Sequence, residues 1–268
     1  MTQVKHLIIT RFMCDNFIKK DTGIDINNSE WNNVAFDMAK RHIIPTLENQ
    51  TAKAFTLVFL VSDKISDDVE RIYNLSAKLN IDVVYYNNFE SYIKSCDEDY
   101  LITSRLDYDD HVHNRCVEEI HQRFYEDILD KQDFALYGLT QGISVIDGET
   151  DAYLCNYEFP WLKTEGFPAP MVTLILKKEA VKFYFDIYKL GFHTEVIKNL
   201  RNVIPYYFNN RDYEVTPMYS VNRGRKLEYI WTRHKHSATY LFDGTVHTTN
   251  IKVDISEKEL KDIFGYTK

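Results

Sequence analysis

Glycine and proline are scarce in this chain, 9 and 6 among 268 residues. With so few chain-breakers, the elements between turns are expected to be long. Two phosphate-binding signatures are missing outright: neither GxGxxG nor GxxxxGKS/T occurs, which excludes the usual dinucleotide and P-loop fingerprints. Cysteine is sparse too. Cys14, Cys96, Cys116 and Cys155 are widely spaced and form no CxxC pair, so free thiols in a reducing compartment are expected rather than a zinc site or a disulfide framework. No apolar run reaches membrane length and no basic leader follows Met1; a cytoplasmic protein without a membrane span is expected. Positive charge is in deficit, with a formal net charge of −8 and a pI near 5.6. That balance disfavours a protein whose main task is gripping a nucleic-acid backbone.

What the chain does contain is apolar and regularly patterned. Hydrophobic residues make up 44% and charged residues 27%, a soluble globular balance with length enough for one large domain. The 19 Tyr and 16 Phe are expected mostly in an aromatic core, although such rings also line sugar and base pockets. Residues 4–12 predict a buried first strand. A helix is predicted from Asn28-Ser29, carrying Trp31, Val34, Met38, Ile43 and Leu47 at helical spacing, with a kink or an early end at Pro45. Strands are predicted over 54–61, 81–86 and 100–106, with helices over 67–79 and 89–94 between them. Strands alternating with helices imply right-handed crossovers and an α/β fold with a mostly parallel central sheet.

Further on, 112–129 reads as a helix, and 134–146 and 152–159 as two strands joined by a turn at Asp147-Gly148. Residues 159–170 read as a Pro- and Gly-rich loop, 171–176 as a strand, and 179–190 and 194–200 as helices. A basic, aromatic cluster follows: Arg223, Arg225, Tyr229, Trp231, Arg233, His234, Lys235 and His236. The tail over 257–264 predicts a short amphipathic helix. No repeat, low-complexity tract or linker interrupts the chain, so residues 1–268 are read as one domain, with halves over 1–131 and 132–268.

The chain is organised around residues 100–113. Their first half is apolar and β-prone; their second places Asp107, Asp109 and Asp110 within four residues, where that strand must stop. In open α/β sheets, ligands bind just outside the carboxyl ends of the strands. Carboxylates gathered there repel one another and call for a cation, and oxygen donors suit Mg²⁺ or Mn²⁺. The expected product is a divalent metal clamped onto a diphosphate. The alternative is that Asp109 or Asp110 caps the following helix.

The strand ending Thr10-Arg11-Phe12, the run from His42 to Thr51 (HIIPTLENQT), the strand ending Val61-Ser62-Asp63 and above all Thr103 to Asp110 (TSRLDYDD) resemble the bacterial rhamnosyltransferase family. That family belongs to the GT-A-type glycosyltransferases, whose Asp-x-Asp motif binds a metal and a nucleoside diphosphate sugar. The resemblance runs in order from Val4 to about Ser237 and is strongest up to Asp110. It implies a Rossmann-like nucleotide-binding half with a mostly parallel sheet, merged with a smaller acceptor-side half. It also implies Asp107 at the ribose or sugar side of the donor, and Asp109 and Asp110 at the metal, directly or through water. Thr10 and Arg11 would sit beside the nucleotide and Asp63 at its base. Arg105 would neutralise donor phosphate or orient the Asp cluster. His234, in preference to His236, would be a further metal or diphosphate ligand, with Arg233 and Lys235 beside the leaving diphosphate.

Sugar transfer also needs a base for the acceptor hydroxyl. Glu195, at a helix start after Phe192-His193-Thr194, is the first candidate, His193 the second and Glu165 the third. Glu195 equally suits a carboxylate that satisfies a helix dipole, and the adjacent Glu-Asp pair usual in the family is absent. The reading is a metal-dependent, inverting glycosyltransferase moving a sugar from a nucleoside diphosphate sugar to a hydroxyl acceptor such as a saccharide. Two others stay open. One is transfer to modified bases in DNA, with the basic aromatic cluster on the acceptor; the other is a non-catalytic carbohydrate- or nucleotide-binding module.

Overall fold

Runs of apolar residues bounded by turn formers give this chain its strands, and the strands sort into two sheets. The structure, a computed structural model, describes residues 2–13, 29–131, 133–139, 141–149, 151–156, 170–181, 217–219, 227–233 and 251–267. The central sheet contains β1 (Val4–Arg11), β2 (Thr56–Val61), β3 (Ile81–Tyr85), β4 (Tyr100–Arg105), β6 (Phe134–Gly138), β9 (Val172–Lys177) and β10 (Pro217–Tyr219). Their order is β10-β6-β9-β4-β1-β2-β3. β1 pairs in parallel with β2 and β4, and β3 with β2. β9 runs antiparallel between β4 and β6, while β10 is parallel to β6. β2 and β4 are buried along their whole length; a strand covered on both faces reads as an unbroken apolar run.

The second sheet contains β5 (His111–Val112), β7 (Gln141–Ile146), β8 (Ala152–Asn156), β11 (Tyr229–Arg233) and β12 (Lys252–Val253), in the order β12-β8-β7-β11-β5. Among the described residues, the α-helices are α1 (Ser29–Arg41), α2 (Ile43–Glu48), α3 (Val69–Tyr73), α4 (Phe89–Lys94), α5 (Cys116–Arg123), α6 (Lys178–Val181) and α7 (Glu257–Phe264). α7 lays Leu260 and Phe264 on Ile143, Val145 and Ile230 of the second sheet. Ser256 and Glu259 close a capping box at its start. Gly265 ends it at φ 69°, where an added Cβ would stand 2.6 Å from the Pro45 carbonyl oxygen. No helix among the described residues is long and apolar enough to cross a membrane. Cys96, Cys116 and Cys155 are buried, and no disulfide joins them among the described residues.

Several elements differ from the sequence expectation. The first helix breaks at His42 rather than at Pro45. Proline has no N–H to return to the carbonyl four residues back, so the ladder stops there and resumes with Thr46 N–H on the His42 carbonyl. The helix expected over 67–79 shrinks to a 3-10 turn (Asp63–Asp68) and α3. There the Ser76 hydroxyl takes the N–H groups of Lys78 and Leu79, offering the backbone a turn instead. The stretch 134–146 is two strands in different sheets. Residues 112–129 are not one helix, because His111 and Val112 pair with Ile230 and Tyr229. α5 therefore starts at Cys116, and neither Asp109 nor Asp110 caps it. The hairpin at Asp147-Gly148 forms as expected, with Gly148 at φ 84°.

Histidines hold the layers together. His6 of β1 lies 3.0 Å from His121 of α5 and 2.8 Å from the Ser104 hydroxyl. His42 Nδ1 lies 2.9 Å from His111 Nε2, and His111 Nδ1 is 3.2 Å from the Phe264 carbonyl. A carbonyl only accepts, so His111 donates from Nδ1 and receives the His42 Nδ1–H at Nε2. Asp147 stands 3.4 Å from His42 Nε2 and 2.5 Å from Arg41.

Two predictions follow from this packing. A Cβ on Gly142 would stand 2.5 Å from the Tyr229 ring and 2.6 Å from its carbonyl oxygen. Gly142→Ala should therefore lower unfolding free energy by about 1–3 kcal/mol in urea titrations. Burial, reinforced by a neighbouring histidine, holds His6 and His111 well below their ordinary value of 6.5. Both stay neutral in the fold and take up protons on unfolding, so stability is lost as pH falls below about 6.5. Burial opposes ionisation of Asp147, but His42 and Arg41 outweigh it and hold its carboxyl below the usual range. Its contribution, present above about pH 4, is lost as the pH drops further. Melting curves between about pH 8 and pH 5 should fall with pH, and less steeply in His6→Gln; an unchanged slope in that variant would remove His6 from the account.

Candidate active site

The sheet grows outward from β1 in both directions, through β2 and β3 on one side and through β4 on the other. The crevice beyond the carboxyl ends of β1 and β4 is therefore the topological switch point, where open α/β sheets bind ligands. Ile9 pairs with Arg105, and the Leu106 N–H still reaches the Ile9 carbonyl at 3.1 Å. The chain then leaves the sheet. The Asp110 N–H donates to the Asp107 carbonyl at 3.2 Å, closing a turn with Tyr108 and Asp109 at its corners. The three acidic residues predicted from sequence thus emerge at the mouth of the switch point.

Cations meet them there. Asp107 Oδ1 lies 3.9 Å from the Arg11 guanidinium and 3.7 Å from that of Arg105. Arg105 is buried, whereas Arg11, Asp107 and Asp109 are half-buried. Ion pairs of this length and exposure add little stability, so their effect lies in the local field. Among the described residues, these two guanidinium groups against the three carboxylates leave one formal negative charge. The turn is anchored by Tyr108, whose ring meets Phe12 edge-on at 5.5 Å, while Phe12 meets Phe36 and Phe59 at 5.1 and 5.2 Å. Burial, then the charges of Asp109 and Asp107, push the Tyr108 phenol well above its usual range and keep it protonated.

The remaining expected residues divide. Thr10, at the end of β1, is fully buried, and its hydroxyl has no hydrogen-bond partner among the described residues. Asp63 is exposed just past the end of β2, the strand beside β1. Asp110 differs from its two neighbours in the turn: it is 3% exposed and accepts the Thr232 N–H on Oδ1 at 3.2 Å. Where a helix was expected over 112–129, His111 belongs to β5 and His113 follows it. Arg233 ends β11, its side chain outside the described residues. Glu165, His193, Glu195 and His234 lie outside the described residues, as do Lys235 and His236. Among the described residues, no three His, Cys, Asp or Glu side chains are grouped so as to hold a metal ion. The Thr232 contact was not foreseen from sequence, since 122 residues separate the partners.

As to the chemistry of the donor set, the half-buried Asp109 beside the half-buried Asp107 suits a hard divalent cation, which would also reverse the residual negative charge. Asp110 suits it less well, with one oxygen already on an amide.

No family model and no curated protein matches this chain. Solved structures similar to it include residues 1–349 of TarS from S. aureus in complex with UDP, 14% identical over 87% of this chain and 61% of that one, TM-score 0.40. Another is a protein described as a nucleotide-diphospho-sugar transferase from Desulfovibrio desulfuricans G20, 10% identical over 87% and 82%, TM-score 0.43. A third is mouse xyloside xylosyltransferase 1 in its apo form, 12% identical over 82% and 98%, TM-score 0.37. This chain thus spans 61% of the TarS fragment it matches.

Proposed function

We propose that this chain is a nucleotide-sugar-dependent glycosyltransferase of the GT-A type. The observation that supports it most is the placing of Asp107 and Asp109 at the switch point between β1 and β4, with Arg11 and Arg105 against Asp107. The resemblance of residues 103–110 to the rhamnosyltransferase family points the same way. In this reading Asp109 and His234 hold Mn²⁺ or Mg²⁺, and Asp110, buried on an amide, is not assigned to the cation. When bound, the cation takes up charge on the departing diphosphate. The other steps fall to the chain's own side chains. Arg11 and Arg105 set positive charge beside the phosphates, Asp107 orients the ribose or sugar, and Thr10 and Asp63 border the nucleotide. Arg233 stands by the leaving diphosphate. Glu195 removes the acceptor proton as the hydroxyl attacks the anomeric carbon with inversion; His193 and Glu165 are its alternatives. The acceptor is a saccharide hydroxyl, in a rhamnosyl-type transfer.

Thermal-shift measurements with nucleoside diphosphates and their sugars, with and without Mn²⁺, test the donor half of this reading. A donor at a hundred times its Kd should add about 2.7 kcal/mol of stability. Asp109→Ala should abolish the Mn²⁺-dependent part of that shift. A donor shift equal with and without Mn²⁺, and kept in Asp109→Ala, would instead favour a non-catalytic binding module. Glu195→Gln should slow transfer by roughly 10²–10⁴-fold while donor binding persists; unchanged transfer would move the base to His193 or Glu165.

A further inference from the structure

We infer that Asp110 is a positioning residue: beyond the two residues of β5, its carboxylate takes the place of a strand partner of β11 and locks the end of that strand onto the acidic turn. The inference rests on the glycosyltransferase reading for its consequence, and on the fold alone for the contact. β5 is two residues long and reaches only Tyr229 and Ile230. β11 runs on to Arg233, held on its other edge by β7 as far as Ile146. Past Ile230, no strand flanks the β5 edge of β11 among the described residues. A buried main-chain N–H on that edge needs an acceptor. Thr232 is 1% exposed, and its N–H finds Asp110 Oδ1 at 3.2 Å.

The same residue works in two directions. Its own N–H closes the turn on the Asp107 carbonyl, and its side chain holds β11. A carboxylate buried to 3% is tolerable only when hydrogen-bonded, and a charge-assisted bond to an amide is among the stronger kinds. Asp109 is thereby fixed between a residue held by two guanidinium groups and a residue held by a strand. Arg233 follows Thr232 directly, so the chain that continues to His234 departs from a point tied to the turn. Asp110 acts on the donor site through Asp109 and β11.

Asparagine separates this role from metal ligation, because it keeps an acceptor oxygen and gives up the charge. Amide hydrogen exchange at Thr232 should be slow in the wild type and in Asp110→Asn, and faster by up to about tenfold in Asp110→Ala. Turnover of donor at saturating Mn²⁺ should fall about tenfold or more in Asp110→Ala, with the donor KM little changed, and recover in Asp110→Asn. Should Asp110→Ala not fold, Asp110→Ser serves as the truncation, its hydroxyl too short to reach the amide. Thr232 exchange equal in wild type and truncation overturns the contact. Protected Thr232 in Asp110→Asn together with loss of Mn²⁺-dependent donor binding, as in Asp109→Ala, overturns the positioning role and makes Asp110 a ligand. If the wild type binds and turns over no donor, the functional reading fails, while the exchange measurement still decides the contact.

Discussion

One short stretch of chain, from Arg105 to Val112, belongs to both sheets at once. Arg105 is paired with β1 and β9 in the central sheet, and His111 and Val112 with β11 in the other. The acidic turn lies between these two anchorages and inherits its shape from them. Ordering a backbone residue costs about 1–2 kcal/mol, and here the flanking ladders bear that cost rather than the turn. Carboxylates placed in this way are already arranged, and a ligand binding to them would leave little ordering to be done. The Tyr108 ring against Phe12 and the Asp110 carboxylate on Thr232 add side-chain anchors to the backbone ones.

Much of the central sheet could be read from residue pattern alone, for a physical reason. β1, β2 and β4 are buried on both faces and appear as apolar runs that stop at polar residues. The observed ends of α7 match the expected ones because that helix carries its own local signals, a Ser-x-x-Glu box and a terminal Gly. The failures share a different cause. β5 is helical or irregular by local preference and becomes a strand only because Tyr229 and Ile230 arrive from more than a hundred residues away. Likewise, the two strands within 134–146 read as one β-prone run, although Gly138 and Gly142 mark where the chain passes between the sheets. The position of the acidic turn was legible because the apolar run of β4 has to end somewhere. The distinct environment of Asp110 was not, because its partner is a main-chain amide, which carries no side-chain signature.

The histidine pairs express the same long-range logic. His6 with His121 joins β1 to α5, while His42 with His111 joins the break between α1 and α2 to β5 and, through the Phe264 carbonyl, to α7. Imidazoles serve well at such junctions, since a neutral ring both donates and accepts and can satisfy two layers at once. Arg41 and Asp147 extend the second pair to the hairpin between β7 and β8. The result is a polar seam through an otherwise apolar core, joining elements that hydrophobic contact alone would hold with less defined register.

The reversed course of β9 has an architectural consequence. Because it runs against β4, its first residues, from Val172, lie level with Arg105 rather than with Tyr100. Pro170 and Met171 therefore enter the sheet at the same rim as the acidic turn, whereas a parallel strand would have admitted them at the opposite end. Sequence spliced in ahead of Pro170 would reach that rim without disturbing the strand pairings among the described residues, so evolution could exchange it like an interchangeable tool head while the handle stayed the same.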